Sequence, residues 1–125
     1  MKKIMVVDDE PDQVFTIKKT LEELDHEYEV IGANSGEQCL EFLKNNHIPD
    51  LIILDIMMPG MSGWETYNLI RGNGSWKNIP VIFLTARKDT VAKKAGVFYG
   101  EDFIEKPWDK EDLKIRIDRI LEQTR

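Results

Sequence analysis

Leu51-Ile52-Ile53-Leu54-Asp55 sets the architecture of this chain. Four large apolar residues run without interruption and end at an acid. A strand with one wet face alternates apolar and polar residues. An unbroken run is apolar on both faces, as a central strand of a parallel sheet is. Residues 4–7 (Ile-Met-Val-Val) and 81–84 (Val-Ile-Phe-Leu) repeat the pattern. Residues 28–33 form a weaker strand and 103–105 a short one.

Helical patterns fill the gaps. Pro11 suits a first helical turn, where its missing N–H costs nothing, and Val14, Ile17, Leu21 and Leu24 follow three and four apart. Ser35 with Gln38, and Ser62 with Glu65, have the spacing of capping boxes. They open a second helix, with Leu40 and Leu43 on its apolar side, and a third, which Gly72-Asn73-Gly74-Ser75 stops. Over residues 88–99 a fourth helix is weakly marked, since Val91 and Ala95 give a poor apolar stripe and Gly96 disfavours helix. Asp109 caps a last helix with Leu113, Ile117, Ile120 and Leu121 facing inward. The order is (βα)5, an α/β fold with a parallel sheet covered on both faces. Right-handed crossovers leave few topologies. The expected one is the doubly wound, flavodoxin-like strand order 2-1-3-4-5, whose ligands bind at the carboxyl ends of the strands, where strands 1 and 3 part.

Composition narrows the function. The 125 residues fit one domain, 1–125, with no output domain expected. A net charge of −6, with no Lys/Arg run longer than two, argues against direct nucleic-acid binding. The single cysteine, Cys39, permits no internal disulfide and is expected to be buried. The apolar run after Lys2-Lys3 is too short for a signal peptide, and no stretch approaches a membrane span. A cytoplasmic protein without membrane contact is expected.

Placed on this frame, Asp8 and Asp9 follow strand 1, Asp55 follows strand 3, Thr85 ends strand 4 and Lys106 ends strand 5. All five converge on one edge of the sheet. At about 5 Å and an effective dielectric near 20, each carboxylate pair costs about 3 kcal/mol. Lys106 supplies one compensating charge, and a hard divalent cation would supply the rest. Carboxylates with no nearby His or Cys favour Mg2+ over Zn2+. We expect Asp9 and Asp55 to hold the metal, with Asp8 reaching it through water. Asp55, lying centrally, is the candidate nucleophile toward a phosphoryl group, with Thr85 and Lys106 stabilising the transferred oxygens.

The segments Val6-Val7-Asp8-Asp9-Glu10, Leu54-Asp55-Ile56-Met57-Met58-Pro59-Gly60-Met61-Ser62-Gly63, Leu84-Thr85-Ala86 and Lys106-Pro107 together resemble the response-regulator receiver family over the whole chain, in its stand-alone CheY-like form. The resemblance implies that Asp55 takes its phosphoryl group from the phosphohistidine of a sensor histidine kinase or phosphotransfer protein. It implies that the Met57 carbonyl is a further Mg2+ ligand, that Lys106–Pro107 is a cis peptide, and that Thr85 and Phe103 are the switch residues. A downstream target would dock on the face made by the fourth helix, the fifth strand and the last helix, where Ile115 is an apolar candidate. The protein would be a monomer or a phosphorylation-dependent dimer, and an end point or one step of a multistep phosphorelay. Two departures stand out. The stretch from Thr85 to Lys106 is one residue shorter than the common pattern, and Trp108 replaces the usual phenylalanine.

Simpler readings exist for each residue. Asp8 and Asp9 are also favourable acids at a helix start, Asp55 a possible turn former, Thr85 a strand end, Lys106 a solvated lysine, and Phe103 a core residue. Trp64 and Trp76 read as packing or surface aromatics, and His26 and His47 as solvated. A phosphohydrolase working through an aspartyl phosphate would need an acid two residues after the nucleophile, where this chain has Met57. A flavodoxin-like electron carrier would need a glycine- and hydroxyl-rich loop where Asp8-Asp9-Glu10-Pro11-Asp12 stands. The expected protein is therefore a switch and not a turnover enzyme. Apolar Met57, with Arg87, would border the water that hydrolyses the phosphoprotein, so slow self-dephosphorylation is expected.

Overall fold

The computed structural model describes residues 1–86 and 102–123, the side chains of residues 85 and 86 excepted. The fourth helix expected over 88–99, the shortened segment and Arg87 lie outside the described residues.

Five strands, β1 (Lys2–Val7), β2 (Tyr28–Ala33), β3 (Leu51–Asp55), β4 (Val81–Ala86) and β5 (Asp102–Lys106), form one parallel sheet in the order β2-β1-β3-β4-β5. This is the expected topology. β3 lies at the centre and every residue of it is buried. The registers pair Val7 with Leu54, Asp55 with Leu84 and Ala86 with Lys106, so the strands end along one line.

Alternation along the strands divides the core in two. Met5, Val7, Ile52, Leu54, Val81 and Phe83 face helices α2 (Gly36–Lys44) and α3 (Gly63–Arg71). Ile4, Val6, Leu51, Ile53, Ile82 and Leu84 face α1 (Pro11–Leu24) and the C-terminal helix (Lys110–Gln123). Each such side chain, removed from water, contributes about 1.5–3 kcal/mol. Cys39 is buried in the first of these layers, and the absence of solvent pushes its thiol up to about 12.

Local signals hold with one correction. Pro11 occupies the first turn of α1, Ser62 and Glu65 form a reciprocal capping box, and the Asp109 carboxylate accepts from the Asp112 N–H. Ser35 caps α2 by accepting from Gln38 N–H, but the Gln38 side chain does not return to Ser35. It accepts from Asn34 N–H at 2.6 Å instead. At the amino edge of the sheet the buried Tyr28 hydroxyl donates to the Asp118 carboxylate. Lys114 lies 2.6 Å from Asp118 and 3.4 Å from Asp25, which ties the C-terminal helix to the end of α1. Burial and the neighbouring carboxylate hold the Tyr28 phenol far above its ordinary pKa.

Candidate functional site

The carboxyl ends of β1, β3 and β5 bring four charges together. Asp8 leaves β1 with its N–H still donating to Ala33 O at 3.1 Å. Its side chain is fully buried, and Oδ1 accepts from the Glu10 N–H at 3.0 Å. Asp55, the last residue of β3, is 5% exposed. Lys106, the last residue of β5, sets its Nζ 3.3 Å from Asp8 Oδ2 and 3.7 Å from Asp55 Oδ2. Asp8, Asp9 and Asp55 each offer an oxygen within 4.8 Å of the others.

Three carboxylates around one ammonium leave negative charge uncompensated. Asp55 shows the effect, with its carboxyl pushed up to about 6. Burial is the largest cause and the Asp8 charge the next. Lys106 and the Met57 N–H pull the other way, and Asp9 adds to the rise. The donor set fits a small hard cation. Oxygens on opposite sides of Mg2+ lie about 4.2 Å apart, twice its bond length. The acidic oxygens lie close enough together for carboxylates to hold such a cation directly or through water. Asp8 is already engaged by Lys106 and by the Glu10 N–H.

The loop after Asp55 is fixed at both ends. Ile56 N–H donates to Leu84 O at 3.2 Å, and Gly63 N–H returns to Ile56 O at 2.9 Å. Gly60 takes the left-handed conformation at φ 72°, which glycine adopts without strain. Gly63 admits no side chain, because a Cβ there would lie 2.3 Å from Asp55 O and 2.7 Å from Ile56 Cα. Its close seat holds the start of α3 against the backbone that carries Asp55. Sequence reading assigned Gly63 no role. The signal was a glycine just inside a capped helix, where better helix formers are available. Met57 stands 67% exposed on this loop.

The remaining candidates are placed unevenly. Thr85 pairs with Glu105 in the β4–β5 register, one residue beyond the level of Asp55, but its side chain is outside the described residues. Phe103 is half-buried against the layer containing Phe83. The Lys106–Pro107 peptide is cis. Trp108 packs against the opposite layer and, with Gln13, Lys106 and Pro107, lines a cavity of about 430 Å3 beside the site. Nothing in the sequence singled out Gln13, a polar residue in the first turn of α1. The Trp64 ring lies tilted against Phe83 with ring centroids 4.6 Å apart, while His26 and His47 are exposed.

Comparison with known proteins places the chain in a family and matches its fold. The chain is 41% identical to the response regulator ArlR of Staphylococcus saprophyticus over 97% of its length, covering 53% of that protein. It is 39% identical to the transcriptional regulatory protein YvrH of Bacillus subtilis, again over 97% of its length and 49% of that protein. The chain thus spans about half the length of these relatives. Among solved structures, the receiver domain of a signal transduction histidine kinase from Syntrophus aciditrophicus superposes with a TM-score of 0.87 at 32% identity, covering 98% of this chain and 92% of that one. The chemotaxis protein CheY4 of Vibrio cholerae gives 0.83 at 29%, over 96% and 98%. Residues 4–118 match the response regulator receiver domain, and the chain belongs to that family.

Proposed function

We propose that Asp55 accepts a phosphoryl group from the phosphohistidine of a kinase or phosphotransfer protein, and that the phosphorylated domain presents a changed docking face. Domains of this family act as signalling switches that work with histidine kinases and downstream effectors. The observation that carries the reading for this chain is the Lys106 ammonium, shared between Asp8 and Asp55 with Asp9 alongside, at the edge where β1 and β3 part.

A carboxylate oxygen of Asp55 bonds to phosphorus as the phosphorus–nitrogen bond breaks. The imidazole leaves with that electron pair and takes a proton from solvent. Asp9, Asp55 and the Met57 carbonyl would hold Mg2+, with Asp8 joined through water. When bound, the ion offsets charge on the transferred oxygens. Lys106 offers an ammonium to the same oxygens and the Thr85 hydroxyl a hydrogen bond. Movement of Thr85 toward the phosphoryl group would draw Phe103 and alter the surface of β5 and the C-terminal helix, where Ile115 is 57% exposed. Phosphohydrolase turnover is disfavoured, because the thioether of Met57 has no proton to exchange.

The test is intact-mass spectrometry after incubation with acetyl phosphate, with and without Mg2+, on the parent chain and Asp55→Ala. A Mg2+-dependent gain of one phosphoryl group, absent from the variant, is expected. An equal gain in Asp55→Ala would refute the assignment. No gain from acetyl phosphate or from a phosphorylated histidine kinase would refute the chemistry.

A further inference from the structure

A parallel sheet leaves an open strand on each side. Among the described residues these are β2 and β5. Each presents outward-pointing backbone groups that could pair with another chain. The structure treats both edges alike. On β2, Val30 N–H donates to Glu22 Oε2 at 3.2 Å, and Val30 O accepts from Lys18 Nζ at 2.8 Å. The same Glu22 oxygen receives Lys18 Nζ at 3.2 Å. On β5, Phe103 N–H donates to Asp102 Oδ1 at 2.9 Å, and Phe103 O accepts from Arg116 Nη1 at 3.4 Å. The same Asp102 oxygen receives Arg116 Nη1 at 2.7 Å.

Each circuit is closed: strand N–H to carboxylate, carboxylate to cation, cation to the carbonyl of the same strand residue. In an antiparallel sheet, a hydrogen-bonded residue pair exchanges both N–H···O bonds. A neighbouring strand would therefore meet Val30 or Phe103 with one acceptor and one donor from a single residue. The ion pair supplies that acceptor and donor from side chains. We propose that Lys18–Glu22 and Asp102–Arg116 are strand mimics that close the two sheet edges to antiparallel addition by a second copy of this chain. A second copy is the natural occupant, because a strand pairing with itself antiparallel generates a closed two-fold dimer.

Acceptor and charge separate in the test. Glu22→Gln and Asp102→Asn keep an oxygen for the strand N–H, whereas Glu22→Ala and Asp102→Ala remove it. Amide exchange, read by NMR, should show Val30 protection falling about tenfold in Glu22→Ala and Phe103 protection falling likewise in Asp102→Ala, with the amide variants close to the parent. Sedimentation velocity on the Glu22→Ala, Asp102→Ala double variant should show a concentration-dependent rise to twice the parent mass and beyond, since two open edges let pairs link further, absent from the Glu22→Gln, Asp102→Asn double variant. Unchanged protection in the single alanine variants would overturn the proposal. So would a double alanine variant with parental circular dichroism and parental mass. If the double variant folds too poorly to weigh, mass is read on the single variants, and a parental mass in both overturns the proposal equally. None of these readouts depends on phosphorylation.

Discussion

Replacing Asp55 by Asn should stabilise the metal-free domain. The carboxyl rises from 3.8 to about 6 in the folded protein, chiefly through burial and the Asp8 charge. Two units at about 1.36 kcal/mol each give about 3 kcal/mol. Solvent reaching the site past half-exposed Asp9 screens part of this, so about 2 kcal/mol is expected at neutral pH. Asn keeps the volume and still accepts from Met57 N–H, and Lys106 keeps Asp8 at 3.3 Å. The sign follows from proton binding. The native state holds the Asp55 proton more tightly than the unfolded chain does, so the parent loses stability as pH rises from 3.8 to about 6. The variant has no such group. The gap between them should be absent below pH 3.8, open across that window, and stay level above about 6. Urea unfolding followed by circular dichroism at steps from pH 3.5 to 8 measures it; at neutral pH it corresponds to about 6–8 °C in Tm. Added Mg2+ should narrow the gap by stabilising only the parent. Equal stability at neutral pH, or a gap that does not change with pH, would refute the electrostatic account of the site.

Lys106→Met should cost about 2–3 kcal/mol, because fully buried Asp8 is left, among the described residues, with the Glu10 N–H as its side-chain partner; Mg2+ should recover part of this in denaturant titrations. Gly63→Ala should cost at least about 2 kcal/mol and slow phosphorylation by acetyl phosphate, since its Cβ meets backbone at 2.3 Å; a Tm equal to the parent's would show that the loop yields freely. Met57 cannot orient a water molecule, so the purified phosphoprotein should hydrolyse slowly; a half-life of seconds, measured by mass spectrometry, would contradict this. Trp108 borders the cavity that contains Lys106, so a Trp64→Phe, Trp76→Phe variant should change its emission on binding Mg2+, and constant emission through a full titration would count against that coupling.

How far the sequence could be read depends on the range of the forces involved. β3 was legible because burial on both faces leaves no polar position between Leu51 and Leu54. The acids were legible as a site because each directly follows a strand, and parallel strands end together. Gly63 was not legible, since only the folded chain reveals that its absent Cβ would strike Asp55 O. Gln38 fits the capping-box spacing, yet its carbonyl bonds to Asn34 N–H instead. The ion pairs make the same point more sharply. Lys18–Glu22, Lys114–Asp118 and Asp112–Arg116 all have i,i+4 spacing, which sequence reads as helix surface. An acid preceding its base is the arrangement that favours the helix, and Asp112–Arg116 has it. Lys18–Glu22 and Lys114–Asp118 are reversed, so intrahelical gain is a weak reason for either. Their third partners supply a stronger one: the Val30 backbone for the first and the Tyr28 hydroxyl for the second. Those partners come from β2, which the strand order places at the edge of the sheet. Asp112–Arg116 has outside partners as well, Asp102 and the Phe103 carbonyl on β5, so the i,i+4 spacing of each of these three pairs hides a contact with an edge strand that only the fold reveals.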